Sequence, residues 1–367
     1  GSQSLYNGIA MPLKELFDRI RHEEKLPDVV SERCVHELVE VASCTSCVDV
    51  CPQRAWSLDD DALNLDTTLC DGCGLCRPAC PEDAISIEHE ILIGDWGERK
   101  IALCACEQAV VPQKIAVVPC IHLVGVKDIL KLHRQGYSEW LVATGSCSEC
   151  SRNRGVKLTE RVDRINAALF VNSSAPVSLY RVNSAEWQRT SNLLVEELAI
   201  SRLSRRGFLR GMLDGGVGAK SAIHKLYESE NDPFESPGEL MPESGSSSVW
   251  PYAPCIDSVR CNGCDACTKL CPHRAIEFND SGEQPYYRME PRSCTGCGIC
   301  VDVCSEDAIS VKTWSQIENR DVALVRMKCS SCGNPVHLPA ESRLRLQDNC
   351  RICAQVNHHK NLYQIVE

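Results

Sequence analysis

The middle third of the chain alternates two patterns of apolar residues. Short apolar runs predict strands at 115–118, 140–143 and 177–182. Apolar residues at helical spacing predict helices at 126–133, 158–169 and 187–199. A β-α-β-α-β-α order is typical of a parallel sheet with helices on its faces. We therefore predict a central α/β domain with a parallel sheet over residues 98–200.

The regions on either side contain only short apolar runs. Residues 30–97 and 251–316 have brief strand-like stretches such as 84–87, and aromatic residues make up 5% of the chain. With little apolar surface to bury, such modules need bound cofactors for much of their folding energy. The pattern predicts an α+β multidomain protein with two small modules, the central domain and a small tail at 325–367.

Two connecting segments complete the predicted organisation. Residues 1–29 form an N-terminal segment ahead of the first module. Residues 201–250 join the central domain to the second module. We expect a basic helix up to residue 227, and then a flexible linker rich in Ser, Glu, Pro and Gly.

Cysteine dominates the composition, with 26 residues in a chain of 367. Most lie in C-x2-C and C-x3-C runs, which suit metal and cluster sites better than disulfides. The formal charge of −11 argues against a nucleic-acid partner. We expect no signal peptide and no membrane span, and the many free thiols favour a cytoplasmic location.

The cysteine runs form an internal repeat. Residues 70–87 (CDGCGLCRPACPEDAISI) match residues 294–311 (CTGCGICVDVCSEDAISV), and a further complete run begins at Cys261. A C-x2-C-x2-C loop can supply three thiolates to one four-iron cluster, and the fourth thiolate comes from elsewhere. Both modules resemble bacterial-type two-cluster ferredoxins, in which the fourth cysteine of each run binds the other cluster. A cysteine-rich zinc module is the alternative.

The ferredoxin resemblance implies a ligand quartet for each [4Fe-4S] cluster. We name three quartets here: site 2 is Cys51, Cys70, Cys73 and Cys76; site 3 is Cys261, Cys264, Cys267 and Cys304; site 4 is Cys271, Cys294, Cys297 and Cys300.

The remaining run, near residue 41, departs from the pattern. Cys44 and Cys47 are in place, but Val41 stands where the first cysteine is expected. The nearest upstream candidate is Cys34, so we define site 1 as Cys34, Cys44, Cys47 and Cys80. His36 is an alternative ligand, because imidazole replaces thiolate in some clusters. A three-iron cluster held by three cysteines is another alternative.

Five further cysteines follow the strands of the central domain. They occur in IALCAC, IAVVPC and LVATGSCSEC, at positions Cys104, Cys106, Cys120, Cys147 and Cys150. The carboxyl ends of parallel strands meet at one edge of a sheet, so these thiols are expected to converge there. Buried cysteines without a ligand role are the alternative.

Residues 100–199 resemble the delta subunit that links hydrogenase to heterodisulfide reductase in methanogens. The stretches that carry the resemblance are VPC, TGSCSECSRNRG and LYRVNSAEW. The resemblance implies a [2Fe-2S] cluster on four of the five cysteines. We assign it to Cys104, Cys120, Cys147 and Cys150, with either Cys106 or Cys104 as the spare.

The tail carries two C-x2-C pairs. The spacing of Cys329, Cys332, Cys350 and Cys353 is typical of a zinc ribbon. A single iron of the rubredoxin type is the alternative, because iron also accepts four thiolates. We expect His337, His358 and His359 to be solvated rather than to bind metal.

These motifs indicate an electron-transfer subunit with four [4Fe-4S] clusters, one [2Fe-2S] cluster and one zinc ion. No catalytic triad or dinucleotide-binding motif is found, so catalysis is expected on a partner of the flavin, molybdenum, hydrogenase or heterodisulfide-reductase type. The flavin-based and heterodisulfide-reductase types are favoured. Residues 204–210 (SRRGFLR) resemble the N-terminus of the ferredoxin-type maturation proteins of periplasmic nitrate reductase. A maturation or docking factor for a metalloenzyme is therefore the alternative function.

Overall fold

The computed structural model describes residues 26–59, 62–203, 221–225, 234–242, 248–280, 282, 284–317, 320–342 and 348–355. The expected N-terminal segment up to residue 25, the SRRGFLR motif, His358 and His359 lie outside the described residues. No helix within the described ranges is both long enough and apolar enough to cross a membrane.

The first module is built from two short antiparallel strand pairs and two short helices. Its elements are β1 (Asp28–Val29), α1 (Val35–Leu38), α2 (Ser46–Val50), β2 (Trp56–Asp59), β3 (Ala62–Leu65) and β4 (Ile85–Ser86). Strand β1 pairs with β4, and β2 pairs with β3. Its small core includes cysteine side chains together with Trp56 and Ile85, so these cysteines are themselves part of the packing.

The central domain is a six-stranded sheet with helices on both faces. Its elements are β5 (Glu90–Trp96), β6 (Arg99–Cys106), β7 (Val117–Val118), α3 (Val126–Arg134), β8 (Glu139–Ala143), α4 (Leu158–Val171), β9 (Ser178–Arg181), α5 (Ser184–Leu203) and β10 (Ser221–Lys225). The predicted alternation of strands and helices is present. The sheet is mixed, however, because only β6, β7, β8 and β9 run parallel.

The antiparallel part of the sheet comes from segments assigned elsewhere in the sequence. Strand β5 lies in the range assigned to the first module, and β10 lies in the range predicted as a basic helix. The expected linker also packs in part, since Leu240 and Met241 are buried in the central core. Long-range pairing and packing, which the local sequence does not show, decided the structure of these segments.

The faces of the central sheet follow the strict alternation of side chains along β6. Ala102 and Cys104 point towards the core under α3 and α4, whereas Ile101 and Leu103 point towards α5 and Trp187. The first module docks on this domain through Arg77, whose guanidinium donates two hydrogen bonds of 2.7 and 2.8 Å to Asp128 in the first turn of α3.

The second module repeats the first, and the tail continues it. Its elements are β11 (Trp250–Ile256), α6 (Ala266–Leu270), β12 (Ile276–Asn279), β13 (Tyr286–Met289), α7 (Ile299–Asp302) and β14 (Ile309–Ser315), followed in the tail by β15 (Asp321–Lys328), β16 (Pro335–Pro339) and α8 (Arg351–Gln355). Strand β11 pairs with β14. Strands β12, β13, β15 and β16 form one sheet, so the tail is an extension of the second module.

Candidate cluster-binding sites

The fourth cysteine of every run sits in the same backbone turn. Its Sγ accepts a hydrogen bond from the backbone N–H of an alanine four residues later. The four distances are 3.3 Å at Cys51, 3.3 Å at Cys80, 3.2 Å at Cys271 and 3.2 Å at Cys304. The residue before each alanine has a positive φ, at Arg54 (54°), Asp83 (48°), Arg274 (53°) and Asp307 (45°). Four strained turns of one kind fix four sulphurs in equivalent positions.

The sequence could not identify these turns from glycine or proline alone. Arg54 and Asp83 have a positive φ, which is uncommon for residues other than glycine, and Cys304 is followed by Ser305 rather than proline. The spacing from each cysteine to an alanine four residues later, present in all four runs, is the signal that marks the turn.

Sites 2 and 4 are recesses lined by the expected quartets. Cys51, Cys70, Cys73 and Cys76 line one recess, and Cys271, Cys294, Cys297 and Cys300 line the other. At site 3, the thiol of Cys267 lies in the electrostatic field of Cys261, Cys264 and Cys304. The structure therefore brings together the quartets that exchange their fourth cysteine between runs.

At site 1, Cys34 lies among the other thiols of the altered run. Cys34 is buried, and together with Cys44 it raises the pKa of Cys47 further, beyond the larger effect of burial. Cys80 in turn is close enough to Cys47 for electrostatic coupling. The imidazole Nε2 of His36 lies 2.8 Å from the carbonyl oxygen of Cys44, so that nitrogen is engaged by the backbone. This geometry favours Cys34 over His36.

Burial makes these thiols poor acids without a metal. It raises the pKa of Cys47 to about 11, and the pKa values of Cys76 and Cys267 to about 12. Thiolate is the form that binds iron, and the positive charge of a cluster offsets the cost of burying it. Buried, converging cysteines of this kind fit iron–sulphur clusters.

The recess of the central domain is lined by four cysteines, and one of them differs from the sequence assignment. Its thiols belong to Cys106, Cys120, Cys147 and Cys150, which we call the middle site. Cys104 is instead fully buried in the core, where it lies opposite Val142 in the sheet. Cys104 and Cys106 point to the same face of β6, but only Cys106 stands at the carboxyl end of the strand where the recess opens.

Arg152 connects the middle site to site 2. Its Nε donates to a carboxylate oxygen of Asp71 at 2.7 Å, and an NH1 group donates to Glu107 at 3.0 Å and to the carbonyl of Pro119 at 2.9 Å. Asp71 follows Cys70 of site 2, and Pro119 precedes Cys120 of the middle site. Arg152 lies within the stretch TGSCSECSRNRG, but nothing in the sequence around it indicated this contact.

The two sites also touch through apolar atoms. Cys73, Leu75 and Cys120 pack in one buried cluster. Gly74, between the site 2 ligands, has a φ of 74° and lies against Leu123, so that a Cβ there would be 3.3 Å from the leucine side chain. Site 2 and the middle site are therefore direct neighbours.

The four tail cysteines converge on one point, which we call the tail site. Their sulphurs all lie within 4.8 Å of one another. The backbone N–H of Cys350 donates to Cys329 at 3.2 Å, and backbone donors of this kind lower the pKa of Cys329 to about 6. A compact set of four thiols with a stabilised thiolate suits a tetrahedral metal ion.

The tail is docked on the loop that carries site 3. Ser342 donates its hydroxyl to the carbonyl of Cys261 at 2.7 Å. The ring of His337 lies 2.8 Å from Asp265 and stacks on Phe278 at 4.4 Å. His337 is thus packed between the tail and the second module, and the expectation that it is solvated is wrong because its neighbours come from distant strands.

Comparison with known proteins supports the assignment of the two modules. Residues 260–308 match the model of the 4Fe-4S dicluster domain, and residues 63–86 match that of the 4Fe-4S binding domain. The chain is 39% identical over 71 residues to a ferredoxin of Rickettsia felis, covering 19% of this chain and 60% of the relative. It is 52% identical over 40 residues to the hydrogenase-4 component A of Escherichia coli, covering 11% of this chain and 20% of the relative.

The chain contains ferredoxin-type 4Fe-4S domains with at least two clusters. It spans less than two thirds of the length of either relative. The matched range in the first module includes the complete run at Cys70–Cys80 but not the altered run.

Proposed function

We propose that the chain is an electron-relay subunit of a larger redox complex. It would hold [4Fe-4S] clusters at sites 1 to 4, a [2Fe-2S] cluster at the middle site and zinc at the tail site. Cys106 replaces Cys104 in the ligand set proposed for the middle site. When bound, iron–sulphur clusters supply reversible one-electron transfer.

The residues of the chain position these groups and adjust their surroundings. The alanine N–H donors at the four turns place positive dipole ends against cysteine sulphurs, and hydrogen bonds of this kind raise a cluster's reduction potential. Buried neighbours such as Trp56 and Leu75 exclude water from site 2. Exclusion of water lowers the local dielectric constant and favours the state with less net charge.

The contiguity of site 2 and the middle site supports the proposal most strongly. An isolated structural cluster needs no neighbour, whereas a relay needs each site beside the next. Cys73 packs directly with Cys120, and Arg152 holds the loops of both sites in place. The partner would carry the catalytic centre. A flavin-based or heterodisulfide-reductase-like enzyme is favoured over a hydrogenase or a molybdoenzyme.

Anaerobic purification from the native host tests this function. A relay subunit is expected to co-purify in fixed stoichiometry with a mature enzyme that carries a flavin or a catalytic metal. Its clusters should be reduced by that enzyme's substrate. Transient binding to an apo-enzyme, with no reduction by substrate, would instead favour the maturation or docking factor.

A further inference from the structure

Two of the four sites share a second contact besides the turn. In each, the residue two positions after the fourth cysteine of one run contacts the residue that follows the first cysteine of the run opposite it. Gln53 donates to Asp71 at 3.4 Å beside site 2, and Asn262 donates to Glu306 at 3.1 Å beside site 3. Each contact lies within one module and closes the loops around one site.

Site 4 breaks this rule. The corresponding residues are His273, two positions after Cys271, and Thr295, which follows Cys294. Both bind Glu82 of the first module. The Nε2 of His273 lies 2.6 Å from one carboxylate oxygen, and the Thr295 hydroxyl donates to the other at 2.5 Å. Glu82 is 4% exposed, and Thr295 is 2% exposed. A contact that elsewhere closes one module here joins two.

The altered run explains why Glu82 points away from its own module. Glu82 lies two positions after Cys80, so its partner within the module would follow the first cysteine of the altered run. That first position is Val41, and the next is Ala42, which has no polar side chain. The matching residues in the other runs are Asp71, Asn262 and Thr295. Because position 42 carries no polar side chain, the Glu82 carboxylate is available to the second module.

Ser43, in the same altered run, makes an independent contact with the second module. The other runs have glycine at this position, at Gly72, Gly263 and Gly296. The backbone N–H and the hydroxyl of Ser43 donate to the carboxylate of Asp302 at 2.9 and 2.6 Å. Ser43 precedes the site 1 ligand Cys44, and Asp302 lies between the ligands Cys300 and Cys304.

Residues outside the cysteine runs also hold the Glu82 contact in place. The ring of Phe234 stacks on His273 at 4.6 Å, and Lys127 of the central domain lies 4.4 Å from the centre of the Phe234 ring. Lys127 also forms an ion pair with Asp83, next to Glu82. This packing holds the His273 ring in the position where it contacts Glu82. The surroundings therefore stabilise this contact between the modules, which we call the joint.

We propose that the altered run is a docking surface for the second module, with Glu82 as the positioning residue that sets site 1 against site 4. The docking rests on contacts alone, and its use for electron transfer rests on the proposed function. Cys80 and Glu82 on one side, and Thr295 and Cys294 on the other, form a bonded path across the joint. A crossing electron would oxidise one cluster and reduce the other, with no bond broken and no proton moved.

The test compares Glu82→Ala with Glu306→Ala in the full-length, anaerobically loaded protein. Glu306 occupies the matching position beside site 3, but its contact stays within one module. Hydrogen–deuterium exchange should rise about tenfold or more at 271–275 and 294–298 in Glu82→Ala, since a buried charged acceptor is lost. In Glu306→Ala the rise should be confined to 261–264 and 304–308. Equal patterns in the two variants would overturn the proposal.

A spectroscopic measurement of the interaction between clusters is the second part of the test. Magnetic interaction between the reduced clusters of sites 1 and 4 should weaken in Glu82→Ala, persist in Glu306→Ala and be largely kept in Glu82→Gln, whose amide can still accept from Thr295. If Glu82→Ala fails to load clusters, Ser43→Gly restores the glycine of the other runs and should weaken the same interaction. Unchanged interaction in the variants that load would refute the joint.

The two proposals fail differently. If Glu82→Ala and Glu306→Ala show the expected exchange difference but the wild-type chain is not reduced by any partner's substrate, the docking surface stands and the relay does not. If the wild-type chain is reduced but Glu82→Ala behaves like Glu306→Ala, the relay stands and the docking surface does not.

Discussion

The two ferredoxin-type modules have the same turns but bury their sites differently. The second module has two complete runs and gains a sheet extension from the tail, which covers the loop of site 3. The first module has one altered run, and its described residues show no such extension; it packs on the central domain through Arg77 and on the second module through Glu82. The departure of this run from the ferredoxin pattern thus coincides with a contact between the modules.

The largest difference between the two modules is expected when a buried cysteine of the second module is substituted. Cys267 is buried in that module's core and belongs to site 3. We expect Cys267→Ser to lose about four iron per chain and to unfold much of residues 251–342, while residues 30–200 stay folded. Iron analysis and limited proteolysis would measure both effects. Loss of all clusters would show instead that the modules do not fold independently.

A paired substitution on β6 tests the middle site. Cys106→Ser should remove about two iron per chain. Cys104→Ser should keep them and lower stability by about 1–3 kcal/mol through a buried hydroxyl. Iron content and thermal unfolding would distinguish the two. The opposite result would restore Cys104 as the ligand.

Removal of the zinc proposed for the tail site should affect the second module alone. A chelator that strips zinc is expected to unfold 351–355 and to speed exchange at 261–265, because Ser342 and His337 then lose their fixed positions. Exchange at 70–76 in the first module serves as the internal control. Equal acceleration in both modules would mean that the chelator attacks the clusters.

Arg152 offers a smaller test, on the junction between the first module and the central domain. Its side chain is 15% exposed and joins Asp71 to Glu107. Arg152→Ala should destabilise the chain by about 2–4 kcal/mol, because it leaves Asp71 half-buried without its cation. The matched variant Arg154→Ala, two residues on, should have little effect. Denaturant unfolding measures both.

The smallest expected effect is a pH dependence at the joint between the second module and its tail. Arg288 on β13 donates to Asp321 on β15, and this lowers the pKa of the Asp321 carboxyl. Its stabilisation is therefore full at neutral pH and is lost as the pH falls below about 4. The side chains are about half exposed, so screening by solvent keeps the gain in stability small. Asp321→Asn should remove this acid dependence, and an unchanged acid profile would contradict the assignment.

The sequence revealed cysteine spacing and helical periodicity well, and long-range contacts poorly. The helix predicted at 126–133 is observed as Val126–Arg134, and the cysteines grouped as sites 2 and 4 line common recesses. The period of a strand, however, cannot distinguish Cys104 from Cys106, because both point to one face. The role of Glu82 was also hidden, since Glu306 occupies a matching position and makes a different contact.

Metal and sulphide content per chain tests the central claim most directly. On protein purified without oxygen, the account predicts about 18 iron, about 18 sulphide and about one zinc, the sum of four cubane clusters, one two-iron cluster and one tetrahedral site. About 16 iron would remove the middle site from the relay, and about 12 to 14 would mean that the altered run holds no cubane. Either result would contradict the continuous relay proposed here.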